Sequence, residues 1–259
     1  MTTLDLAHDQ FGAAGPPVVI LHGLLGSARN WTAIAKQLGE SARVFALDLR
    51  NHGRSPWADA MSFNAMAGDV AAFVERHELR PATVIGHSLG GKVAMRLALS
   101  RPSLVERLVV VDVAPVAYRH SFAGYVAALR RIDLSALSRR SEADQALQAA
   151  IPEPGIRSFL LQNLVQSDAG FSWRINLAAL ADNMGELMGF PVEPAAAYRG
   201  PTLFLAGGRS DYIGPEHEAL IARLFPQARH AVIEDAGHWV HAERPAEFLA
   251  ELQAFANSP

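Results

Sequence analysis

A serine between glycines is the strongest chemical signal in the chain. The run G-H-S-L-G-G at residues 86–91 follows a short apolar stretch and leads into a helix-forming sequence. Glycines two positions before and after the serine allow a strand and a helix to approach closely at a tight turn. There the hydroxyl lies beside a helix N-terminus, whose N–H groups stabilise an oxyanion. The spacing predicts that Ser88 is a nucleophile; a helix start with a capping serine is the structural alternative.

A second glycine-containing motif, H-G-L-L-G at residues 22–26, follows another apolar run. If this loop turns inward, the backbone N–H groups of Leu24 and Leu89 point at one place and together stabilise one developing negative charge. Leu24 and Leu89 are therefore the predicted oxyanion-hole residues. An ordinary turn containing a structural histidine is the alternative for this loop.

A serine hydroxyl needs a base at neutral pH, and the chain contains ten histidines. Chain order favours His238, because its A-G-H-W segment directly follows the last apolar run. We expect structural roles for His241, near the start of the last helix, and for His87, beside the serine. Surface or structural roles are also expected for His8, His77, His120, His217 and His230.

The histidine in turn needs a carboxylate that fixes its tautomer and stabilises the imidazolium. Two aspartates qualify by their position. Asp211 lies in the loop after the run Thr202–Ala206, which is the usual location of the acid in this type of sheet, and Asp112 ends the run Leu108–Asp112. The residues themselves leave both candidates open.

These residues must be positioned by a regular framework, and apolar, β-branched runs do alternate with longer helical stretches. This alternation is typical of an α/β fold with a mostly parallel sheet buried between helices. The predicted strands are Val18–His22, Val44–Asp48, Thr83–His87, Leu108–Asp112, Thr202–Ala206 and His230–Glu234. The predicted helices are Trp31–Leu38, Phe63–His77, Leu89–Ser100, Glu216–Leu224 and Ala246–Ala256.

The alternation stops between about residues 115 and 200, where no convincing strand is found. Apolar residues recur there at helical spacing, in one series from Phe122 to Ile132 and in a second from Trp173 to Met184. We predict a helical cap at residues 116–199, inserted into a core formed by residues 1–115 and 200–259. Extension of the core by the same helices is the alternative.

Composition excludes several classes of function. Acidic and basic residues are mixed and give a net charge of −3, so no basic face is available for nucleic acid. The absence of cysteine excludes disulfides and a cysteine nucleophile, and fits a reducing compartment. No segment resembles a membrane span or a secretory signal. We predict a cytoplasmic protein without a nucleic-acid or membrane partner and leave the oligomeric state open.

No cofactor is predicted either. No pair of histidines has metal-ligand spacing on a recognisable helix, and the glycines near Ser88 do not form the phosphate-binding pattern G-x-G-x-x-G. The expected partner is a small molecule.

Together, the motifs H-G-L-L-G, D-L-R-N-H-G-R-S, G-H-S-L-G-G and G-H-W-V-H-A-E-R-P resemble those of the α/β-hydrolase fold. The segments V-D-V-A-P and F-S-W-R-I-N-L are similar to those of the YbfF-like esterases and their mitochondrial relatives. The resemblance implies Ser88 as nucleophile, His238 as base, and Leu24 and Leu89 as oxyanion donors. It also favours Asp112 as the acid over Asp211.

The activity implied by the resemblance is hydrolysis of carboxylic esters or thioesters through an acyl-serine. A non-catalytic receptor or signalling protein of the same fold, and a hydrolase of carbon–carbon bonds, are the alternatives. The residues expected to contact the substrate are aromatic or apolar: Tyr118, Phe122, Trp173, Met184 and Trp239.

Overall fold

A seven-stranded sheet lies at the centre of the computed structural model, which describes residues 2–119, 122–193 and 196–257. Its strands are β1 (His8–Phe11), β2 (Pro17–Leu21), β3 (Arg43–Leu47), β4 (Ala82–His87), β5 (Val105–Val111), β8 (Thr202–Gly207) and β9 (Ala228–Ile233). Six of these strands match the predicted runs, with their ends shifted by up to three residues. The predicted α/β fold with a mostly parallel sheet is confirmed.

The strand order is β1-β3-β2-β4-β5-β8-β9, and only β1 runs antiparallel to its neighbour. The sequence did not indicate β1, because this edge strand reads H-D-Q-F and has no continuous apolar run. The six parallel strands end at the same edge of the sheet. Loops that follow different strands are thereby brought together at that edge, where α/β proteins place their ligands.

Both faces of the sheet are covered because alternate side chains of each strand point to opposite sides. Val19 and Leu21 of β2 pack with the helices on one face, and Val18 and Ile20 with those on the other. Helices α2 (Phe63–Arg76), α3 (Leu89–Ser100) and α9 (Glu218–Leu224) contribute to the first of these apolar clusters. Helices α1 (Thr32–Leu38), α10 (Val240–Glu243) and α11 (Pro245–Ala256) contribute to the second.

Most of the chain between β5 and β8, residues 116–199, forms the inserted segment. It contains α4 (Ala123–Arg130), α5 (Arg140–Leu147), α6 (Pro154–Leu161), β6 (Leu164–Ser167), β7 (Gly170–Trp173), α7 (Leu177–Asp182) and α8 (Met184–Met188). The expectation that this segment has no strand was wrong, since β6 and β7 pair as an antiparallel hairpin. Trp173 ends β7 and therefore does not belong to a helix, although its spacing to the next apolar residues in the sequence is helical.

Side-chain hydrogen bonds fasten the inserted segment to the rest of the molecule. Nδ2 of Asn163 donates to the Leu25 carbonyl oxygen at 2.7 Å, and Nδ2 of Asn183 donates to the Asp59 carbonyl oxygen at 2.8 Å. These bonds join two separate parts of the segment to loops that follow β2 and β3.

No helix in the described parts of the chain combines the length and the apolar character needed to cross a membrane. The cytoplasmic location expected from the sequence stays a prediction.

Candidate active site

Ser88 occupies the turn between β4 and α3 with φ 52° and ψ −116°, a conformation that costs a non-glycine residue free energy. Its N–H donates to the Val111 carbonyl oxygen at 3.0 Å, and its carbonyl accepts the N–H of Lys92 at 3.0 Å. A Cβ at Gly86 would lie 2.2 Å from the Gly90 carbonyl oxygen. The strand and the helix can therefore approach this closely only because residue 86 has no side chain. The surrounding contacts thus hold a strained serine at the carboxyl end of the sheet.

The loop after β2 packs directly against this turn. A Cβ at Gly23 would lie 3.3 Å from Cβ of Ser88. The backbone of Leu25 has φ 64°, and its N–H donates to Nε2 of His52 at 3.3 Å. Since Asn163 also donates to the Leu25 carbonyl oxygen, both the backbone N–H and the backbone carbonyl of Leu25 have hydrogen-bond partners. Leu24 precedes it and lines a cavity together with Ser88 and Leu89.

Two buried histidines, both neutral, form hydrogen bonds that hold this loop. Nε2 of His52 accepts the Leu25 N–H, so its Nδ1 carries the proton and donates to the Arg50 carbonyl oxygen at 2.9 Å. Nε2 of His22 likewise accepts the Leu49 N–H at 3.0 Å, and Nδ1 donates to the Gly23 carbonyl oxygen. Burial lowers the pKa of both imidazoles, that of His52 to about 3. They therefore act as neutral hydrogen-bonding supports.

The ring of His238 is bound to Asp112. Nδ1 of His238 lies 2.7 Å from Oδ2 of Asp112, whose side chain is fully buried. Asp112 follows β5 with φ 51°, and its N–H donates to the Leu205 carbonyl oxygen. Because a carboxylate accepts, Nδ1 of His238 carries the proton, and Nε2 bears the lone pair.

Aromatic rings enclose the imidazole of His238. The Tyr212 ring stacks on it at a centroid distance of 4.0 Å and an interplanar angle of 19°. His87 lies on another side, with 4.7 Å between the ring centroids, and its Nε2 donates to the His238 carbonyl oxygen at 2.8 Å. Burial lowers the pKa of His87 well below the ordinary value, so this neighbour stays neutral beside His238.

Two cavities share Ser88, Leu24 and Phe122 in their walls. The first cavity contains His238 and Trp239 and is further lined by His22, Gly23, Gly26, Asn30, Trp31, His87, Phe159 and His241. The second cavity is further lined by Leu89, Lys92, Val113, Tyr118, Leu187, Met188 and Tyr212. Ser88 therefore stands between an aromatic, histidine-rich space and a mainly apolar one.

Comparison with known proteins identifies the family of the chain. Residues 16–245 match the family described as alpha/beta hydrolase fold. The chain belongs to the α/β-hydrolase family. The prediction of family and fold from the sequence motifs is confirmed.

The relatives of this α/β hydrolase include named esterases and lipases. The chain is 42% identical to the sn-1-specific diacylglycerol lipase ABHD11 of Mus musculus, over 93% of this chain and 80% of that protein. It is 35% identical to Esterase YbfF of Escherichia coli, over 93% of both chains. A solved structure described as a marine microorganism esterase shares the fold with a TM-score of 0.95 and 37% identity, covering 98% of this chain and 100% of that one.

The hydrolase structure separates the two candidate acids. Asp112 contacts His238, whereas Asp211 lies exposed on the loop after β8. The same loop instead supplies Ser210, whose Oγ donates to Oδ2 of Asp112 at 2.5 Å, and the Tyr212 ring. Neither residue was predicted from the sequence. Their position in a loop between the last two strands was the only signal that could have suggested them.

Three of the five expected substrate contacts line the cavities: Tyr118, Phe122 and Trp239. Trp173 and Met184 line neither of these two cavities, and their contact with a substrate stays a prediction. Met184 begins the short helix α8 and is buried in the apolar core, and Trp173 ends the hairpin and packs against that core. Apolar spacing alone does not distinguish a core residue from a cavity wall.

The remaining histidines differ in their surroundings. His241 is buried and stacks on Trp31 at 4.0 Å with an interplanar angle of 4°. His230 is exposed, and His120 lies outside the described residues. Within residues 2–119, 122–193 and 196–257, no three His, Asp or Glu side chains converge as metal ligands would.

Proposed function

We propose that this α/β hydrolase cleaves carboxylic esters or thioesters through an acyl-Ser88 intermediate. The observation that carries the proposal is the alignment of Asp112 with His238 at the cavity that also contains Ser88. Asp112 is the acid in this proposal, and Asp211 has no part in the reaction.

The chemistry follows from these positions. Nε2 of His238 takes the Ser88 proton as Oγ attacks the acyl carbonyl, and Asp112 stabilises the resulting imidazolium. The tetrahedral oxyanion accepts hydrogen bonds from the N–H groups of Leu24 and Leu89. Leu89 is the first residue of α3, so its N–H has no partner within the helix.

His238 then gives the proton to the leaving alcohol or thiol, and the acyl group stays on Ser88. Water enters, loses a proton to the same Nε2 and attacks the acyl-serine. Collapse of the second tetrahedral intermediate returns the proton to Ser88 and releases the carboxylic acid.

The cavities support an assignment of the two halves of the substrate. The second cavity contains both oxyanion residues and has mainly apolar walls, which fits the acyl group. The first cavity contains His238, which protonates the leaving group, and fits the alcohol or thiol part. Tyr118 and Phe122 are the proposed acyl contacts, and Trp239 is the proposed leaving-group contact. The names of the relatives favour a carboxylic ester as substrate.

The inserted segment is the proposed cap over Ser88. It contributes Phe122 and Phe159 to the first cavity, and Tyr118, Leu187 and Met188 to the second. Side chains of residues 116–199 thus form walls of both cavities, so this segment limits the size and shape of the substrates that fit.

The test combines covalent labelling with turnover. A fluorophosphonate probe and a p-nitrophenyl butyrate assay are applied to the native chain, to S88A and to S103A, which changes an exposed serine of the next loop. We expect one adduct and ester turnover in the native chain and in S103A, and neither in S88A. Labelling of S88A at the native rate would refute Ser88 as nucleophile.

The same experiment separates the alternatives. A non-catalytic receptor of this fold gives no turnover of any ester. A hydrolase of carbon–carbon bonds retains the adduct on Ser88 but leaves esters and thioesters intact while cleaving a diketone. Either result would overturn the proposed function.

A further inference from the structure

Lys92 is a buried amine in the wall of the second cavity. It lies four residues after Ser88, and positions one turn apart share a face of the helix. The chain has only two lysines, and the other, Lys36, is exposed. Only 3% of Lys92 is accessible to solvent. A charged group is thus buried beside the proposed nucleophile, in a cavity whose other walls are mainly apolar.

The contacts of its ammonium group use two donors. Nζ of Lys92 donates to the carbonyl oxygens of Met188 at 3.0 Å and Gly189 at 2.6 Å, at the end of α8. It also lies 4.8 Å from the centroid of the Tyr118 ring. An ammonium group has three N–H bonds, so the two carbonyl oxygens leave one of them for a further acceptor.

This cation has no anionic partner among the residues that the structure describes: neither an aspartate nor a glutamate forms an ion pair with Lys92. A buried charge without a counter-charge is expensive. Burial accordingly lowers the pKa of Lys92 to about 7. A neutral amide side chain would bind the carbonyl oxygens without this cost, so the attachment of α8 does not explain why an ionisable amine is buried here.

A carboxylate on the substrate would provide the missing charge. Lys92 follows Ser88 by four residues, a backbone rise of about 6 Å along α3, and both residues line the second cavity. A four- or five-carbon dicarboxylic half ester is of comparable length. With its ester carbonyl at Ser88, such a chain extends along α3 toward the amine. The aliphatic part then packs against the apolar walls, and the far oxygen accepts the third N–H.

We propose that Lys92 makes this hydrolase selective for acyl groups that carry a carboxylate at the end remote from the scissile carbonyl. The inference rests on the proposed function and specifies the substrate class of the same site. Lys92 binds the substrate in this role and takes no part in the proton transfers between Ser88 and His238.

The test compares two esters that differ only in charge at the far end. Monoethyl succinate carries the carboxylate, and ethyl 4-methylpentanoate carries an isopropyl group of the same shape. We expect the native chain to prefer the charged ester in kcat/KM, and K92M to lower the charged-to-neutral ratio about 10- to 100-fold. Any displacement of α8 affects both esters and cancels in this ratio.

K36M is the matched control, since it makes the same substitution at the exposed lysine. We expect it to retain the native ratio. Absence of a preference in the native chain would overturn the inference even if K92M failed to fold, and so would an equal loss for both esters in K92M. Hydrolysis of neither ester by a native chain that turns over p-nitrophenyl butyrate would overturn the inference alone. Absence of p-nitrophenyl butyrate turnover as well would overturn the proposed function.

Discussion

Nδ1 of His238 lies 2.7 Å from Oδ2 of Asp112, although 126 positions separate the residues and β8 lies between the strands that precede them. The carboxylate reaches the histidine past the end of β8, where the Gly207 N–H donates to its Oδ1 at 3.0 Å. Ser210 binds Oδ2 as well. These donors orient the carboxylate, and the carboxylate orients the imidazole so that Nε2 is available for proton transfer.

This relationship predicts a severe effect of D112N. The amide keeps the shape of the side chain but removes the charge that stabilises the imidazolium, and it favours the wrong tautomer of His238. We expect kcat to fall on the order of 10⁴-fold. The measurement is steady-state ester hydrolysis, with circular dichroism to establish that the variant is folded.

D211N is the control for this prediction, because Asp211 is the exposed candidate on the neighbouring loop. We expect kcat within about twofold of the native value, as for surface substitutions generally. A larger loss in D211N than in D112N would assign the acid to Asp211.

The backbone of Ser88 predicts a difference between two inactive variants. Both S88A and S88G lack the nucleophile, but only glycine adopts φ 52° and ψ −116° without steric cost. The relief of strain is partly offset by the larger entropy of glycine in the unfolded chain. We expect the free energy of unfolding of S88G to exceed that of S88A by about 1 kcal/mol in urea titrations. Lower stability of S88G would show that this turn stores no strain.

The hydrogen bond from Asn163 to the Leu25 carbonyl predicts that the inserted segment supports the loop after β2, which contains the proposed oxyanion residue Leu24. N163A leaves that carbonyl without its donor and lets the Leu24 N–H shift. Since displacement by about 1 Å can cost catalysis 10²-fold, we expect kcat to fall 10- to 100-fold with little change in KM.

N183A is the matched control, because Asn183 also joins the inserted segment to a core loop but binds Asp59 rather than Leu25. We expect its kcat to stay within about threefold of native. The loss of stability reflects the three hydrogen bonds that the Asn183 side chain makes with Asp59, Met61 and Ala179. Equal losses of kcat in the two variants would mean that catalysis depends on attachment of the inserted segment to the core in general, and not on the bond to the loop after β2.

The pKa of His241 predicts how stability depends on pH. Burial lowers this pKa to about 3, so below about pH 6.5 the unfolded chain binds a proton that the folded chain does not. The free energy of unfolding therefore falls as the pH falls from 6.5 toward 3. In H241F this contribution is absent, and the ring can still stack on Trp31.

The measurement is urea unfolding of the native chain and H241F at pH 7 and pH 5. We expect the native chain to lose about 2 kcal/mol more than H241F between these values. Parallel losses would mean that protonation of His241 does not distinguish the folded from the unfolded chain. Nδ1 of His241 lacks a hydrogen-bond partner among the described residues, so phenylalanine removes no bond at that atom.

Much of the framework could be predicted because the signals are local. Buried parallel strands require continuous apolar runs, so six strands were visible in the sequence. The edge strand β1 and the hairpin β6-β7 lack such runs and were missed. The serine turn was visible because its constraint lies within six residues: two glycines must flank Ser88 where strand and helix touch.

The partners of the site were decided by tertiary structure. Asp112 and Asp211 both follow strands near His238, but only the carboxylate of Asp112 contacts the His238 ring. The positive φ of Asp112, 51°, directs its side chain past the end of β8 to that ring. In the sequence, Lys92 likewise is one polar residue within a predicted helix, and nothing in the sequence indicates that it is buried. Its burial depends on how α8 and Tyr118 pack over α3. Sequence by itself determined which residues lie at strand ends, because periodicity is local, whereas packing between distant segments decided which of them meet.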